Sequence, residues 1–151
     1  MKTLIDNKKA YFNFEVQDKY EAGLILEGWE VKSLKTGRGS INSSYIKIKG
    51  SEVYLVNATI ATWKSGFIKS PEEERKDRKI LLNREEIKKI NIKVKQVGIT
   101  AVPLELYTND KGIIKITVGV VRGKKKFDKR QKLKDEDMKR RIDQDRKKYN
   151  F

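Results

Sequence analysis

The chain has 151 residues, with 36 Lys and Arg against 21 Asp and Glu, a net charge of +15, and neither cysteine nor histidine. The missing residue types exclude disulfides, zinc sites built on thiolate or imidazole, and histidine-dependent acid–base catalysis. The basic excess points to a polyanionic partner, nucleic acid or an acidic membrane face.

The sequence has no apolar run of about 18 residues and no apolar signal core near Met1, so a cytoplasmic protein is expected. In chain order, residues 10–16 alternate: Ala10, Phe12, Phe14 and Val16 share one face, as in a half-buried strand. Residues 20–27 read as a second strand, in which Gly23 leaves room for a bulge or a close backbone approach. Residues 28–36 fit a short helix with Val31 and Leu34 on one side and Gly37 as its stop. Residues 43–48 and 52–60 form a hairpin around Lys49-Gly50-Ser51. Residues 61–79 lose periodicity and run through Gly66, Pro71 and a cluster of charges, which reads as a long exposed loop.

Residues 83–97 carry the clearest helix signal. Asn83 is a good N-cap with Glu86 three residues on, Ile87, Ile90, Val94 and Val97 fall at helical spacing, and Gly98 closes the segment. Residues 99–107 and 113–121 are strands, and Pro103 marks an edge or a bulge in the first. The expected fold is therefore mainly β: a six-stranded antiparallel OB-like barrel with two or three helices, spanning residues 1–121.

Residues 122–151 are different. They hold 14 Lys and Arg against 6 Asp and Glu, a local excess of +8, with too few large apolar side chains to close a core. Within them, residues 135–148 place acids first and bases last, matching a helix dipole, with Met138 and Ile142 one turn apart. Such a segment is too short and polar to be a stable helix alone. A conditionally folded C-terminal tail, disordered when free and helical on an RNA partner, is the economical reading.

Residues 119–124 (GVVRGK) have the wrong glycine spacing for a phosphate loop, and no Ser or Thr follows the lysine. Glu21, Glu30, Asp110 and the acids of 72–77 show no spacing that pairs two of them beside a nucleophile; they read as solvated or salt-bridged. No catalytic residue, metal site or cofactor is expected. Lys8, Lys9, Lys32, Lys35 and Arg38 flank Tyr11, Phe12, Tyr20 and Trp29, a basic and aromatic combination suited to RNA, although most of these rings lie at strand period and belong to the core. A metal-dependent RNA-processing enzyme and a structural ribosomal protein are the alternatives to an RNA adaptor.

The stretches NKKAYFNF (7–14), YEAGLILEGWEVKSLKTGRGSINSSY (20–45), RKILLNREEIKKI (78–90) and GKKKFDKR (123–130) together resemble the SmpB family, the tmRNA-binding small protein B of bacterial trans-translation. The resemblance implies a non-enzymatic adaptor with an OB-like barrel and a basic tail. Such a protein binds the tRNA-like domain of tmRNA, promotes delivery of alanyl-tmRNA with elongation factor Tu, and rescues stalled ribosomes as a monomer. It further implies a tmRNA face containing Asn7, Glu21, Leu81 and Asn83, to which the basic reading adds Lys8, Lys9 and Lys32. The tail residues Gly123, Lys124, Lys125, Phe127, Asp128, Lys129 and Arg130, followed by Met138 and Ile142, are implied to act in the vacant messenger channel near the decoding centre of the small-subunit rRNA. Two departures stand out: Phe127 replaces a frequent histidine, and Pro71 with EEERKD forms an acidic insertion in the 61–79 loop.

Overall fold

The structure is a computed structural model and describes residues 1–62 and 69–124. The tail expectations on Lys125, Phe127, Asp128, Lys129, Arg130, Met138 and Ile142 lie outside the described residues. The described residues form β1 (Lys2–Asp6), α1 (Lys8–Asn13), β2 (Phe14–Leu24), α2 (Gly28–Lys35), β3 (Gly39–Ser40), β4 (Tyr45–Lys49) and β5 (Glu52–Val56). They continue with β6 (Thr59–Ile60), α3 (Pro71–Glu74), β7 (Arg78–Leu81), α4 (Arg84–Val94), β8 (Ile99–Thr108) and β9 (Ile114–Gly123). Among them no helix is long and apolar enough to cross a membrane.

Seven strands make one antiparallel sheet in the order β1-β8-β9-β2-β7-β5-β4, and β3 pairs separately with β6. β4 comes back to within 8 Å of β8 between Cα atoms but does not pair with it, so the sheet curls without closing a hydrogen-bonded ring. Val53, Leu55, Leu106, Ile116, Val118 and Val120 point into one core, which α2 caps with Leu34 and α4 with Ile90. Ile116, Val118 and Val120 are fully buried, and every second residue on a strand faces the same side.

A smaller apolar cluster lies around Ala10, Val102, Leu104 and Val121, with Phe14 and Val16 against it. Here the sheet is covered by α1. Gly119 permits the tight layer beneath, because a Cβ there would sit 2.7 Å from the Leu104 Cδ1.

Three expectations are corrected. Residues 10–16 are not one strand: α1 occupies 8–13 and β2 starts at Phe14. The reason is local. The Asn7 side chain accepts from the Ala10 amide at 3.1 Å and caps a turn whose buried residue is Ala10. The segments expected at 20–27 and in the latter part of 10–16 merge into the single eleven-residue β2, which carries a register shift between Val16 and Asp18. A first strand, β1, pairs with β8 where none was expected.

Residues 69–79 are also more ordered than the exposed loop expected over 61–79, of which residues 63–68 lie outside the described residues. Ser70 caps α3 with Pro71 at its first turn, and β7 begins at Arg78. Glu74 accepts from both the Thr62 amide at 2.6 Å and its hydroxyl at 3.0 Å, closing the loop on itself. Arg78 is buried against Glu30, Nε to Oε2 at 2.5 Å, with both side chains 1% exposed. Its remaining nitrogens donate to the carbonyls of Ala58 at 2.7 Å and Glu74 at 2.9 Å. Glu30 also accepts from the Glu27 amide at 2.9 Å as half of the capping box of α2. One ion pair thus joins α2, α3 and β7.

Candidate nucleic-acid interface

A cleft of about 430 Å³ opens on the outer face of the sheet. Strand register explains what lines it. Leu81 on β7 stands opposite Gly23 on β2, Gly23 opposite Lys115 on β9, and Lys115 opposite Tyr107 on β8. One row across four strands therefore reads Leu81, Gly23, Lys115, Tyr107. Glu21 lies two residues before Gly23 on the same face, paired with Thr117, and Asn109 and Asp110 come from the turn that follows β8.

Glycine at position 23 makes the recess. An added Cβ would meet the Leu81 Cβ and Cδ1 at 3.4 Å, so the Leu81 side chain leans over bare backbone. Leu81 itself is 53% exposed, a large apolar group left uncovered at the rim.

Tyr107 is buried. Burial first, and then its hydrogen bond to Glu21, push the phenol up to about 12, so it remains a neutral donor that holds the Glu21 carboxylate. On the neighbouring row Glu105 accepts from Thr3 at 3.2 Å and Thr117 at 3.3 Å. The lining charges are Glu21 and Asp110 against Lys115 and the Met1 ammonium, which pairs with Asp110 at 3.4 Å. Such a mixture does not cradle phosphate; it suits a ligand presenting hydrogen-bond donors.

The structure brings two of the anticipated residues together here, Glu21 and Leu81. Asn83 follows immediately outside the cleft, where it caps α4 by accepting from the Glu86 amide at 2.9 Å. Asn7 is placed elsewhere and is 2% exposed. Its Nδ2 donates to the Pro103 carbonyl at 2.7 Å and the Ile41 carbonyl at 3.2 Å, and its Oδ1 is taken by Ala10. Every polar atom of that side chain is bonded within the protein, which sets Asn7 apart from Glu21 and Leu81 among the residues of the expected tmRNA face. Lys8 and Lys9 are exposed on α1, and Lys32 is exposed in the last turn of α2.

β9 runs through Arg122 and Gly123, two residues past the division expected at 121. The Lys124 amide donates to the Asn13 carbonyl at 3.0 Å, and its Nζ donates to the Tyr11 carbonyl at 3.2 Å. The root of the tail is therefore moored to α1, beside Lys8 and Lys9. Tyr107, Asn109 and Lys115 escaped the sequence reading as cleft residues, and Asp110 enters it only as a solvated or salt-bridged acid. Only Gly23, flagged for a close backbone approach, signalled a recess on this face.

The family model for SmpB protein matches residues 4–148. The chain belongs to the SmpB family. An SsrA-binding protein from Flavobacterium johnsoniae is 40% identical over 95% of this chain and 95% of its own length. One from Fusobacterium nucleatum is 40% identical over 97% and 98%. One from Ralstonia nicotianae is 44% identical over 91% and 93%. A chain from a solved structure described as "tmRNA-SmpB: a journey to the center of the bacterial ribosome" superposes with a TM-score of 0.68 at 38% identity, covering 81% of this chain and 85% of that one. The family match includes residues 125–148, so the basic tail as well as the sheet belongs to the SmpB pattern.

Proposed function

We propose that this chain is a non-enzymatic RNA adaptor for ribosome rescue in trans-translation. It binds the tRNA-like domain of tmRNA through the sheet and accompanies alanyl-tmRNA with elongation factor Tu to stalled ribosomes as a monomer. The observation that carries the reading is the family match over 4–148, taken with the convergence of Glu21 and Leu81 in one cleft.

The chemistry fits a division of labour. Residues 1–124 supply a shaped cleft with hydrogen-bonding groups, together with exposed lysines such as Lys8, Lys9 and Lys32 for phosphates. Asn83 acts beside Leu81 by fixing the start of α4, and Asn7 acts by fixing α1. The tail from Gly123 onward, with Lys124, Lys125, Phe127, Asp128, Lys129, Arg130, Met138 and Ile142, probes the vacant messenger channel against small-subunit rRNA. Its dense positive charge supplies affinity and its ordered charges support a helix that forms on binding.

The test truncates the chain after Lys124, which leaves β9 and its mooring to Asn13 intact. Affinity for the tRNA-like domain should persist while tagging on stalled ribosomes is lost. Loss of RNA binding with tagging retained would reverse the assignment.

A further inference from the structure

Resting on the reading that the cleft binds RNA, we propose that it is a guanine pocket, in which the Glu21 carboxylate receives the Watson–Crick edge of one unpaired guanine while Leu81 supports the base face and Lys115 meets O6.

The argument starts from what each base presents. Along that edge guanine carries two adjacent donors, N1–H and the N2 amine, followed by the O6 acceptor. Adenine offers one donor beside an acceptor, uracil one donor between two acceptors, and cytosine one donor beside two acceptors. A carboxylate accepts only, through two oxygens, so it matches two parallel donors and repels any edge that turns an acceptor toward it. A lysine only donates, so placed next to the carboxylate it completes a pattern that guanine alone satisfies. Glu21 and Lys115 stand on paired strands, with Lys115 directly opposite Gly23 and Glu21 two residues earlier.

The surroundings agree. The cleft, at about 430 Å³, has room for one nucleotide. Gly23 contributes no side chain to its floor, and Leu81, 53% exposed and apolar, leans over that backbone and offers a flat ring an apolar face to rest on. The charges of the cleft balance, Glu21 and Asp110 against Lys115 and the Met1 ammonium, which pairs with Asp110 at 3.4 Å, so it lacks the cationic excess that would make a phosphate the principal occupant. Tyr107 is a positioning residue. Its hydroxyl donates to Glu21, using part of the carboxylate's accepting capacity and fixing its orientation, with lone pairs left for the base.

The experiment uses the full-length protein and the tRNA-like domain of tmRNA, made with inosine in place of each unpaired guanosine in turn. Inosine lacks the N2 amine and keeps N1–H and O6. One inosine position should weaken wild-type binding about tenfold, the loss of one hydrogen bond to a charged group. With Glu21→Gln that same inosine should cost less than about twofold further, because the two changes remove one interaction. Glu21 is exposed, so the variant leaves the core untouched. A parallel series carries 2′-deoxyguanosine at the same positions. The guanine assignment is overturned if no inosine position matters while Glu21→Gln still weakens the unmodified RNA. It is equally overturned if a 2′-deoxy substitution, rather than inosine, is the change that ceases to matter in Glu21→Gln. Failure of the unmodified RNA to bind at all would instead remove the adaptor reading on which the pocket depends.

Discussion

Glu30 is the residue whose removal the fold should feel most sharply. It is 1% exposed, holds the Arg78 Nε at 2.5 Å, and accepts from the Glu27 amide at 2.9 Å. Glu30→Ala leaves a buried guanidinium without its counter-charge, which costs on the order of 3–5 kcal/mol. It also removes half of a helix cap, about 1 kcal/mol, although the two losses overlap. Arg78 keeps its bonds to the Ala58 and Glu74 carbonyls, which places the net loss near the middle of that range, about 4 kcal/mol. In a chain of this size that lowers the melting temperature by about 10–15 °C. Urea unfolding followed by circular dichroism measures it directly, since the midpoint falls while the slope stays constant. Glu30→Leu combined with Arg78→Met should recover most of the loss, because two apolar groups need no partner. A cost below about 1 kcal/mol for Glu30→Ala would show that water reaches the pair and that its burial does not set its energetics.

The other predictions concern the cleft and its supports. Tyr107 ionises at about 12 in the fold against 10.0 for the free side chain, so its contribution is complete below pH 10 and is lost as pH rises from 10 toward 12. Two units correspond to about 2.7 kcal/mol, and in Tyr107→Phe the fall in stability across that window should shrink by this amount. An unchanged pH profile in the variant would contradict the assignment. Asn7→Ala should lower stability by about 2–3 kcal/mol, since it abolishes a cap and strands the carbonyls of Pro103 and Ile41. Its effect on RNA binding should disappear once folded protein is compared at low temperature, whereas a persistent defect would return Asn7 to the RNA face. For RNA affinity against salt, Lys8→Ala and Lys9→Ala should each flatten the slope by about 0.7–0.9, while Glu21→Gln lowers affinity at constant slope. Equal slopes for all three variants would argue against sorting these residues into phosphate-binding and base-reading groups.

Much of the sheet was legible because its signals are local. The hairpin of β4 and β5 follows from Lys49-Gly50-Ser51, where Gly50 takes a φ of +64°. Asn83 and Glu86 form the capping box that their spacing announces. Pro103 sits at the register shift between β8 and β9. The failures are equally physical. Alternation over 10–16 is short enough to serve a strand or the covered side of a one-turn-plus helix, and the Asn7 cap decides between them. Glu30 reads as solvated or salt-bridged, and it is salt-bridged; what no short window shows is its burial and its partner Arg78, 48 residues away. The cleft was half legible. Glu21 and Leu81 came from a family resemblance, while Tyr107 and Lys115 reach it only through the register of β8 on β9 and β9 on β2, which no short window of sequence contains.

The acidic insertion after Pro71 takes on a different meaning in this light. Three consecutive glutamates in a basic protein look like a patch set against RNA, yet they occupy the first turn of α3, where a helix N-terminus favours negative charge. Glu74 is spent on Thr62, and the carbonyls of Glu73 and Glu74 accept from Arg78. The same Arg78 opens β7, and three residues later that strand presents Leu81 over Gly23. The backbone of α3 therefore acts on the cleft from behind: its carbonyls help hold the arginine that anchors the strand carrying the apolar rim. Of the added carboxylates, Glu74 is turned to a local bond and Glu73 pairs with Lys69 at 4.0 Å, while Glu30 supplies from α2 the counter-charge that the buried guanidinium requires.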